Sequence, residues 1–346
     1  MSDFFGSVIS LTGCRDRDLL AVTVAWVLAD ELKPLAVQIH RCVGAPARLL
    51  RLAGERRDAP PLAAQPAWTP IEELPAAADW PSHALALERG RPVVVNDASE
   101  AAAPATLSVF PLTVGAQRVG LVELRTEQPL DAEQQRFVIG LLTIYRNQLR
   151  LLDDSECDTL TGLLNRKTYE AQFGRCLLDD GVGDEAPQGV QERRGDALTH
   201  WMGVIDIDHF KRVNDGFGHL IGDEVLLLVA QLLRSTFRHG DRLYRFGGEE
   251  FVVLLRAPGR EAAGAAFERL RAAMEAYRFP QVGRVTASVG YTELRPFDNA
   301  AAAFERADRA VYRAKDCGRN QVQCHEALVE AGLADGEHKV GEIELF

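Results

Sequence analysis

The chain has 346 residues, enough for two or three domains, and 47% of them are hydrophobic against 26% charged, the balance of a folded protein with a core rather than a disordered one. Its formal net charge of −11 repels phosphate backbones at long range and argues against general nucleic-acid binding, although a local basic cluster can still draw a small anion. The longest apolar run, Leu19 to Ala29, stops at Asp30 and Glu31, a length that suits a buried helix and not a membrane span. The N-terminus lacks a basic region followed by a small-residue cleavage site, which predicts no signal peptide. Six cysteines without a CxxC pair or zinc-spaced histidines predict free thiols in a reducing cytoplasm.

Residues 13 to 33 predict one amphipathic helix, and "AVQIHRCVG" and "ARLLRLAG" predict strands. A Pro/Ala-rich connection follows from Asp58 to about Pro81, then a short helix from Ser82 to Arg89 and the strand "PVVVND". "LSVFPLTVGAQRVGLVELRT" predicts a strand pair turning at Gly115 to Gln117. Helix, strands, helix, strands and a long helix, in that order, describe an α+β sensory module. From Asp131 to about Cys157 the pattern is helical, with two adjacent apolar seams: Phe137, Leu141, Ile144 and Leu151, interrupted by Gln148, and Val138, Leu142, Tyr145, Leu149 and Leu152. One seam could cover the N-terminal domain while the other pairs with a second copy of the chain; a single wide core-facing stripe fits the pattern equally well.

At "DTLTGLLNRKTYEAQF" the chain breaks and restarts, with Asn165 placed to cap the next helix. Residues 179 to 198, rich in acids and glycine, predict a mobile surface loop. Strands at 201–208, 242–247, 250–256, 285–292 and 320–325 alternate with helices at 219–237, 260–277 and 300–316. This β-α-β-β-α-β order predicts an antiparallel sheet with helices on one face. The last twenty residues are acidic and read as peripheral.

The most informative stretch is "RLYRFGGEEFVVLL", a hairpin with Gly247, Gly248, Glu249 and Glu250 at its tip. Paired glycines are ordinary turn chemistry and acids on a turn are commonly solvated, so the hairpin by itself leaves both readings open. The predicted topology sets the first strand beside this hairpin, which brings Asp206 and Asp208 near Glu249 and Glu250. Converging carboxylates without a local basic partner are costly unless a cation joins them, and Mg2+ prefers one or two carboxylates plus substrate phosphates. Next, "HFKRVNDGFGHLIGDEVL" supplies a Gly-spaced turn into a helix, where backbone amides and Lys211 can hold phosphate. The Asn214 amide can read a purine edge and the Asp223 carboxylate can accept from guanine; a turn and a helix start account for the same two residues.

"DTLTGLLNR", "DIDHFKRVNDGFGHLIGDEVL", "RFGGEEF", "TASVGYTEL" and "ADRAVYRAKDCGRN" match, in order and spacing, the motifs of the GGDEF family of diguanylate cyclases. The resemblance covers about residues 156 to 325 and implies a palm-like domain that condenses two GTP into cyclic di-GMP and two pyrophosphates within a homodimer. Carried over by position, Asp206, the Ile207 carbonyl and Glu249 resemble the ligands of Mg2+ (or Mn2+), with Glu250 contributing and Lys315 part of the catalytic set. Asn214 and Asp223 match the guanine readers, and Gly247 and Gly248 leave room for the nucleotide. The amides of His209 and Phe210, with Lys211, match the phosphate loop. Lys315 and Arg319 match the residues on the β- and γ-phosphates, and also suit a basic helix C-terminus. "RHGD" sits where the family carries an inhibitory product site, which assigns Arg238 and Asp241 to bound cyclic di-GMP.

The N-terminal part resembles GAF domains, with PAS as the alternative, and the resemblance implies a small-molecule or protein signal of unspecified identity. The expected architecture is α+β: a GAF-like α/β sensory domain at 1–130, a signalling helix at 131–157, a palm-like GGDEF domain with a β-α-β-β-α-β antiparallel core at 158–326, and a tail at 327–346. The other function this sequence admits is a non-catalytic cyclic di-GMP receptor acting through Arg238 and Asp241. The retained Glu249 and Glu250 favour the enzyme. No nucleic-acid partner is expected, and the location is cytoplasmic.

Overall fold

Interrupted runs of buried residues in the first half of the chain and near-continuous burial in the second mark two different six-stranded sheets. The computed structural model describes residues 4–97, 105–114, 117–178 and 198–334, and the chain divides into two units, Met1–Ser155 and Glu156–Phe346.

The first unit contains α1 (Phe4–Gly13), α2 (Arg17–Leu32), β1 (Ala36–Val43), β2 (Arg48–Arg56), β3 (Ala59–Leu62), α3 (Pro81–Arg89), β4 (Val93–Asp97), β5 (Ala105–Val114), β6 (Gln117–Thr126) and α4 (Ala132–Glu156). Its strands lie in the order β3-β2-β1-β6-β5-β4, all neighbours antiparallel. The helix expected over 13 to 33 is α2, and it starts at Arg17 because Asp16 turns its side chain onto the amides of Asp18 and Leu19. The residues before that cap include a separate α1. The connection from Asp58 also carries the short strand β3 and two 3-10 turns; its composition hid them. Gly115 and Ala116, the expected turn, lie outside the described residues.

On α4 the two seams merge. Leu141 and Gln148 from one and Val138, Leu142, Tyr145 and Leu152 from the other are all buried, so one wide stripe faces the core. Gln148 is accommodated there because its amide donates to the Cys14 carbonyl at 2.8 Å.

The second unit contains β7 (Leu164–Asn165), α5 (Arg166–Leu178), β8 (Thr199–Ile207), α6 (Phe210–Phe217), α7 (His219–Thr236), β9 (Arg242–Gly247), β10 (Glu250–Ala257), α8 (Arg260–Ala276), β11 (Ala287–Glu293), α9 (Ala300–Asp316), β12 (Val322–Cys324) and α10 (His325–Glu330). The sheet order is β12-β11-β8-β10-β9-β7. The inner pairs are antiparallel, and the edge strands β12 and β7 run parallel to their neighbours.

Helices cover both faces, not one. Ile205, Ile207, Phe251 and Val253 pack under Val225, Val229 and Phe267 of α7 and α8, while Met202, Val204, Val252 and Leu254 pack under Tyr169 and Phe173 of α5 and Ala303, Ala307 and Val311 of α9. A strand enclosed on both faces has no polar side to alternate with, which is why β8 and β10 read as continuous apolar runs. Asn165 caps α5 as expected, accepting from the Thr168 amide at 2.9 Å. Beyond β12 the chain does not become peripheral at once: α10 buries Leu328, and Glu326 accepts from the Thr292 hydroxyl at 2.6 Å. The expected loop at 179–197 and the terminal residues 335–346 lie outside the described residues.

Candidate active site at the end of β8 and the hairpin tip

Register brings the acids together. Glu250 at the start of β10 is paired directly with Asp206 near the end of β8, and the Ile207 amide donates to the Glu249 carbonyl at 3.4 Å. The two aspartates of "DID" then part company. Asp208 accepts from the Ser288 hydroxyl at 2.7 Å, the Thr286 hydroxyl at 2.7 Å and the Asn320 amide at 3.0 Å. It is a buried clamp between β8, β11 and the segment after α9, and its charge reaches the acidic cluster through repulsion of Asp206. Asp206 instead meets the Lys315 ammonium at 2.7 Å.

At the tip, Gly247 and Gly248 have φ of 148° and 51°. A Cβ on either would meet nothing within 4 Å, so the glycines are required by backbone conformation while the space above them is open. Arg245 fastens this turn: its guanidinium donates to the Gly248 carbonyl at 2.9 Å and to Asp158 at 2.9 Å. Asp158 in turn accepts from the amide and hydroxyl of Thr161 at 2.8 and 2.6 Å. Sequence reasoning passed over Arg245, because the contact spans 87 positions.

Burial holds Asp206, Glu249 and Glu250 above the ordinary carboxylate range. The Asp206 charge raises Glu249 and Glu250 further, Asp208 and then Asp308 repel Asp206, Asp308 also repels Glu250, and Lys315 opposes the rise on all three. Asp308 lies two turns before Lys315 on α9, which places both on one face of that helix. Among the described residues no three His, Cys, Asp or Glu side chains already form a metal cage. The donors nevertheless fit a hard divalent ion: all are oxygens, their mutual repulsion is relieved by added positive charge, and one or two carboxylates suffice when a ligand's phosphates complete the shell.

The chain leaves β8 through His209, whose φ of 59° bends it directly into α6. This segment was expected to be a turn. It is helical because Phe210 and Val213 are buried and Gly218, at φ 84°, postpones the break until after Phe217. The first-turn amides around His209, Phe210 and Lys211 thus sit at a helix N-terminus. Across the Gly218 corner, Asn214 of α6 lies against Gly222 of α7, where a Cβ would stand 2.0 Å from the Asn214 Oδ1. Gly222 therefore lets the Asn214 amide pack against α7 one position before Asp223; sequence reasoning did not single it out, since a glycine inside a helix carries no sign of what it touches. Arg319, with φ of 64°, follows α9 and is held near β8 by the bond from the adjacent Asn320 amide to Asp208.

Arg238 and Asp241 are joined locally, the Asp241 carboxylate accepting from the Arg238 amide at 2.8 Å. Burial pushes Asp241 up to about 6, against the lowering effects of Arg238 and of Arg269 on α8. A folded-state value above the unfolded one means that the ionised carboxylate destabilises the fold at neutral pH. Asp241→Asn is expected to stabilise the protein by roughly 1–2 kcal/mol at pH 8. The gain should shrink as pH falls below about 6 and vanish below the unfolded value near 4, as read by denaturant unfolding across pH. A gain that grows on acidification would contradict it.

Residues 155–321 match the sequence model of the family "Diguanylate cyclase, GGDEF domain". The chain is 44% identical to diguanylate cyclase DgcP of Pseudomonas aeruginosa over 169 residues, which cover 48% of this chain and 23% of that protein. It is 36% identical to diguanylate cyclase DgcM of Escherichia coli over 198 residues, 56% of this chain and 45% of that one. It therefore spans less than half the length of either relative. Among solved structures it is similar to the GGDEF domain of DgcB from Caulobacter crescentus in complex with c-di-GMP, at 30% identity and a TM-score of 0.44, covering 50% of this chain and 97% of that one. The C-terminal half of the chain is a GGDEF domain of the diguanylate cyclase type.

Proposed function

We propose that this chain is a diguanylate cyclase that condenses two GTP into cyclic di-GMP with release of two pyrophosphates. The observation that carries the proposal is the direct pairing of Asp206 with Glu250 beside the Gly247-Gly248 turn, with Lys315 on Asp206. Asn214 and Asp223 hold the guanine, and their donor and acceptor pattern selects it over adenine. The His209 and Phe210 amides, with Lys211, orient the phosphates, while Lys315 and Arg319 supply positive charge to the β- and γ-phosphates. Asp206, the Ile207 carbonyl and Glu249 would hold a divalent ion, Mg2+ or Mn2+, which when bound would supply positive charge to lower the pKa of the attacking hydroxyl and to offset charge on the phosphate oxygens.

In each half-reaction the 3′-oxygen of one GTP bonds to the α-phosphorus of the other, and the bond to the β-phosphate bridging oxygen breaks to release pyrophosphate. Glu250, whose proton affinity is raised by burial and by Asp206, can receive the hydroxyl proton. Each chain carries one such nucleotide site, so the functional unit is a homodimer. Arg238 and Asp241, with Arg269 nearby, hold cyclic di-GMP as a feedback inhibitor, and the first unit acts as a GAF-like sensory domain.

Gly222→Ala tests the guanine assignment. It should push the Asn214 amide aside and raise KM for GTP about tenfold with kcat little changed, the cost of one misplaced polar contact. An unaltered KM would remove Asn214 from the guanine site. The proposal as a whole is tested by stoichiometry: GTP with Mg2+ should yield two pyrophosphates for each cyclic dinucleotide, and ATP should yield none. One pyrophosphate without cyclisation, or equal use of ATP, would overturn it.

A further inference from the structure

Three consecutive left-handed residues follow α9, and two of them are not glycine. Gly318, Arg319 and Asn320 have φ of 108°, 64° and 46°. The helix end accounts for the first. The Gly318 amide donates to the Lys315 carbonyl at 3.4 Å and the Arg319 amide to the Ala314 carbonyl at 3.0 Å, the paired bonds of a Schellman cap with glycine at its left-handed position. Such a cap needs only one left-handed residue. Arg319 nevertheless stays in a conformation that costs a side-chain-bearing residue free energy and persists only where its surroundings impose it.

Those surroundings meet at Asn320. Its backbone amide donates to Asp208 Oδ2 at 3.0 Å, its side-chain amide donates to Glu275 Oε1 at 3.0 Å, and its side-chain carbonyl accepts from Arg271 Nη1 at 3.0 Å. Asp208 stands one residue beyond the Ile207 carbonyl and is itself gripped by Thr286 and Ser288. Arg271 and Glu275 lie one turn apart on α8 and bind each other at 2.6 Å. Arg271 is braced further by Glu268 at 2.7 Å, and Glu275 by Arg284. The next residue, Gln321, donates through its side chain to the Ala314 carbonyl at 2.8 Å. By contrast, Arg319 is exposed and its guanidinium bonds to no described residue.

We propose that Asn320 is a positioning residue for the reaction: gripped by α8 on one side and by the end of β8 on the other, it holds Arg319 left-handed so that the guanidinium meets the outer phosphates of the nucleotide. The proposal rests on the reading of a nucleotide site at the end of β8 and names what keeps Arg319 in it.

Asparagine tolerates a positive φ, so a plain turn explains the residue type. It does not explain why both ends of the Asn320 amide are spent on an ion pair from another helix, or why the strain extends to Arg319. A phosphate ligand explains both. A guanidinium on a fixed corner loses less freedom on binding than one on a slack loop, and keeps the fork geometry that phosphate oxygens require. Through Asp208 the same corner is tied to the strand end that carries Asp206 and the Ile207 carbonyl, so the groups assigned to phosphate and to metal stand on one connected frame.

The test uses the full chain and two ligands: guanosine α,β-methylene triphosphate, which cannot release pyrophosphate, and GMP, which lacks the outer phosphates. Titration calorimetry reads both. Asn320→Gly keeps the left-handed conformation accessible and removes both side-chain bonds, so the domain folds while the corner slackens. It should weaken the triphosphate about tenfold, the loss of one well-placed charged hydrogen bond, and leave GMP within about twofold of native. Arg319→Ala should do the same. In the double variant the loss should remain about tenfold, because Asn320 acts only through Arg319. Glu275→Ala, which slackens Asn320 without altering the loop, should show the same selective loss to a smaller degree.

Equal weakening of GMP and the triphosphate would mean a general disturbance of the domain and would overturn the role. So would a double variant weakened about 100-fold, the product of two independent losses, or native affinity for the triphosphate in Asn320→Gly. A native protein with no preference for the triphosphate over GMP would overturn it as well. Selective, non-additive loss in a protein that makes no cyclic dinucleotide from GTP would uphold the positioning role and reject the cyclase reading.

Discussion

Glu249→Gln is expected to leave the C-terminal domain folded and to lower GTP turnover by about 10²–10³-fold. The carboxylate stands at the hairpin tip and makes no hydrogen bond to a described residue, so exchanging it for a neutral isostere removes no structural contact. Its energetic role is electrostatic. Burial and the neighbouring Asp206 already raise its proton affinity, a strain that a bound divalent cation would relieve. The amide has nearly the same shape and no charge, so it takes from the site its metal affinity and not its geometry. Steady-state pyrophosphate release, beside a denaturant titration of the same preparation, separates the two. Near-native turnover in a folded Glu249→Gln protein would remove Glu249 from the reaction.

Gly290→Ala should cost about 3 kcal/mol of stability and most of the activity as well, although the residue touches no proposed ligand. Gly290 lies in β11 directly beneath α9, where an added Cβ would stand 2.2 Å from the Ala307 carbonyl and 2.3 Å from the Val311 amide. Both are backbone atoms in the middle of a helix, so no rotamer change relieves the contact and α9 must lift from the sheet. That helix carries Asp308 and Lys315, and lifting it withdraws the ammonium from Asp206. Chemical unfolding reads the stability, and a change under about 0.5 kcal/mol would show that α9 can shift without cost.

Much of the site was legible because it is written locally or in register. The hairpin tip is announced by two glycines before two acids, and the strand order alone sets β8 beside β10, so the approach of Asp206 to Glu250 needed no coordinates. What the sequence could not show depends on partners far along the chain. Asp206 and Asp208 look equivalent two residues apart, yet Thr286, Ser288 and Asn320 claim the second and Lys315 the first. Arg245, Asp308 and Gly222 matter through contacts that no local pattern encodes.

In the fold, β8 and β10 carried a signal that was available and went unused: seven consecutive buried residues from Trp201 to Ile207 mean a strand covered on both faces. The start of α2 turned on a single side chain, because Asp16 caps its first amides, and an amphipathic pattern does not record which acid caps and which is merely exposed. On α4 two seams separated by one residue sum to one broad stripe, a distinction that only burial resolves.

The most direct measurement of the central claim is mass spectrometry of the products that the purified full chain forms from GTP and Mg2+, after bound nucleotide has been stripped and with the protein held dimeric. Cyclic di-GMP from the native chain, and none above background from Glu249→Gln, is the predicted result. A native dimer that binds GTP and leaves it unconverted would contradict the cyclase assignment.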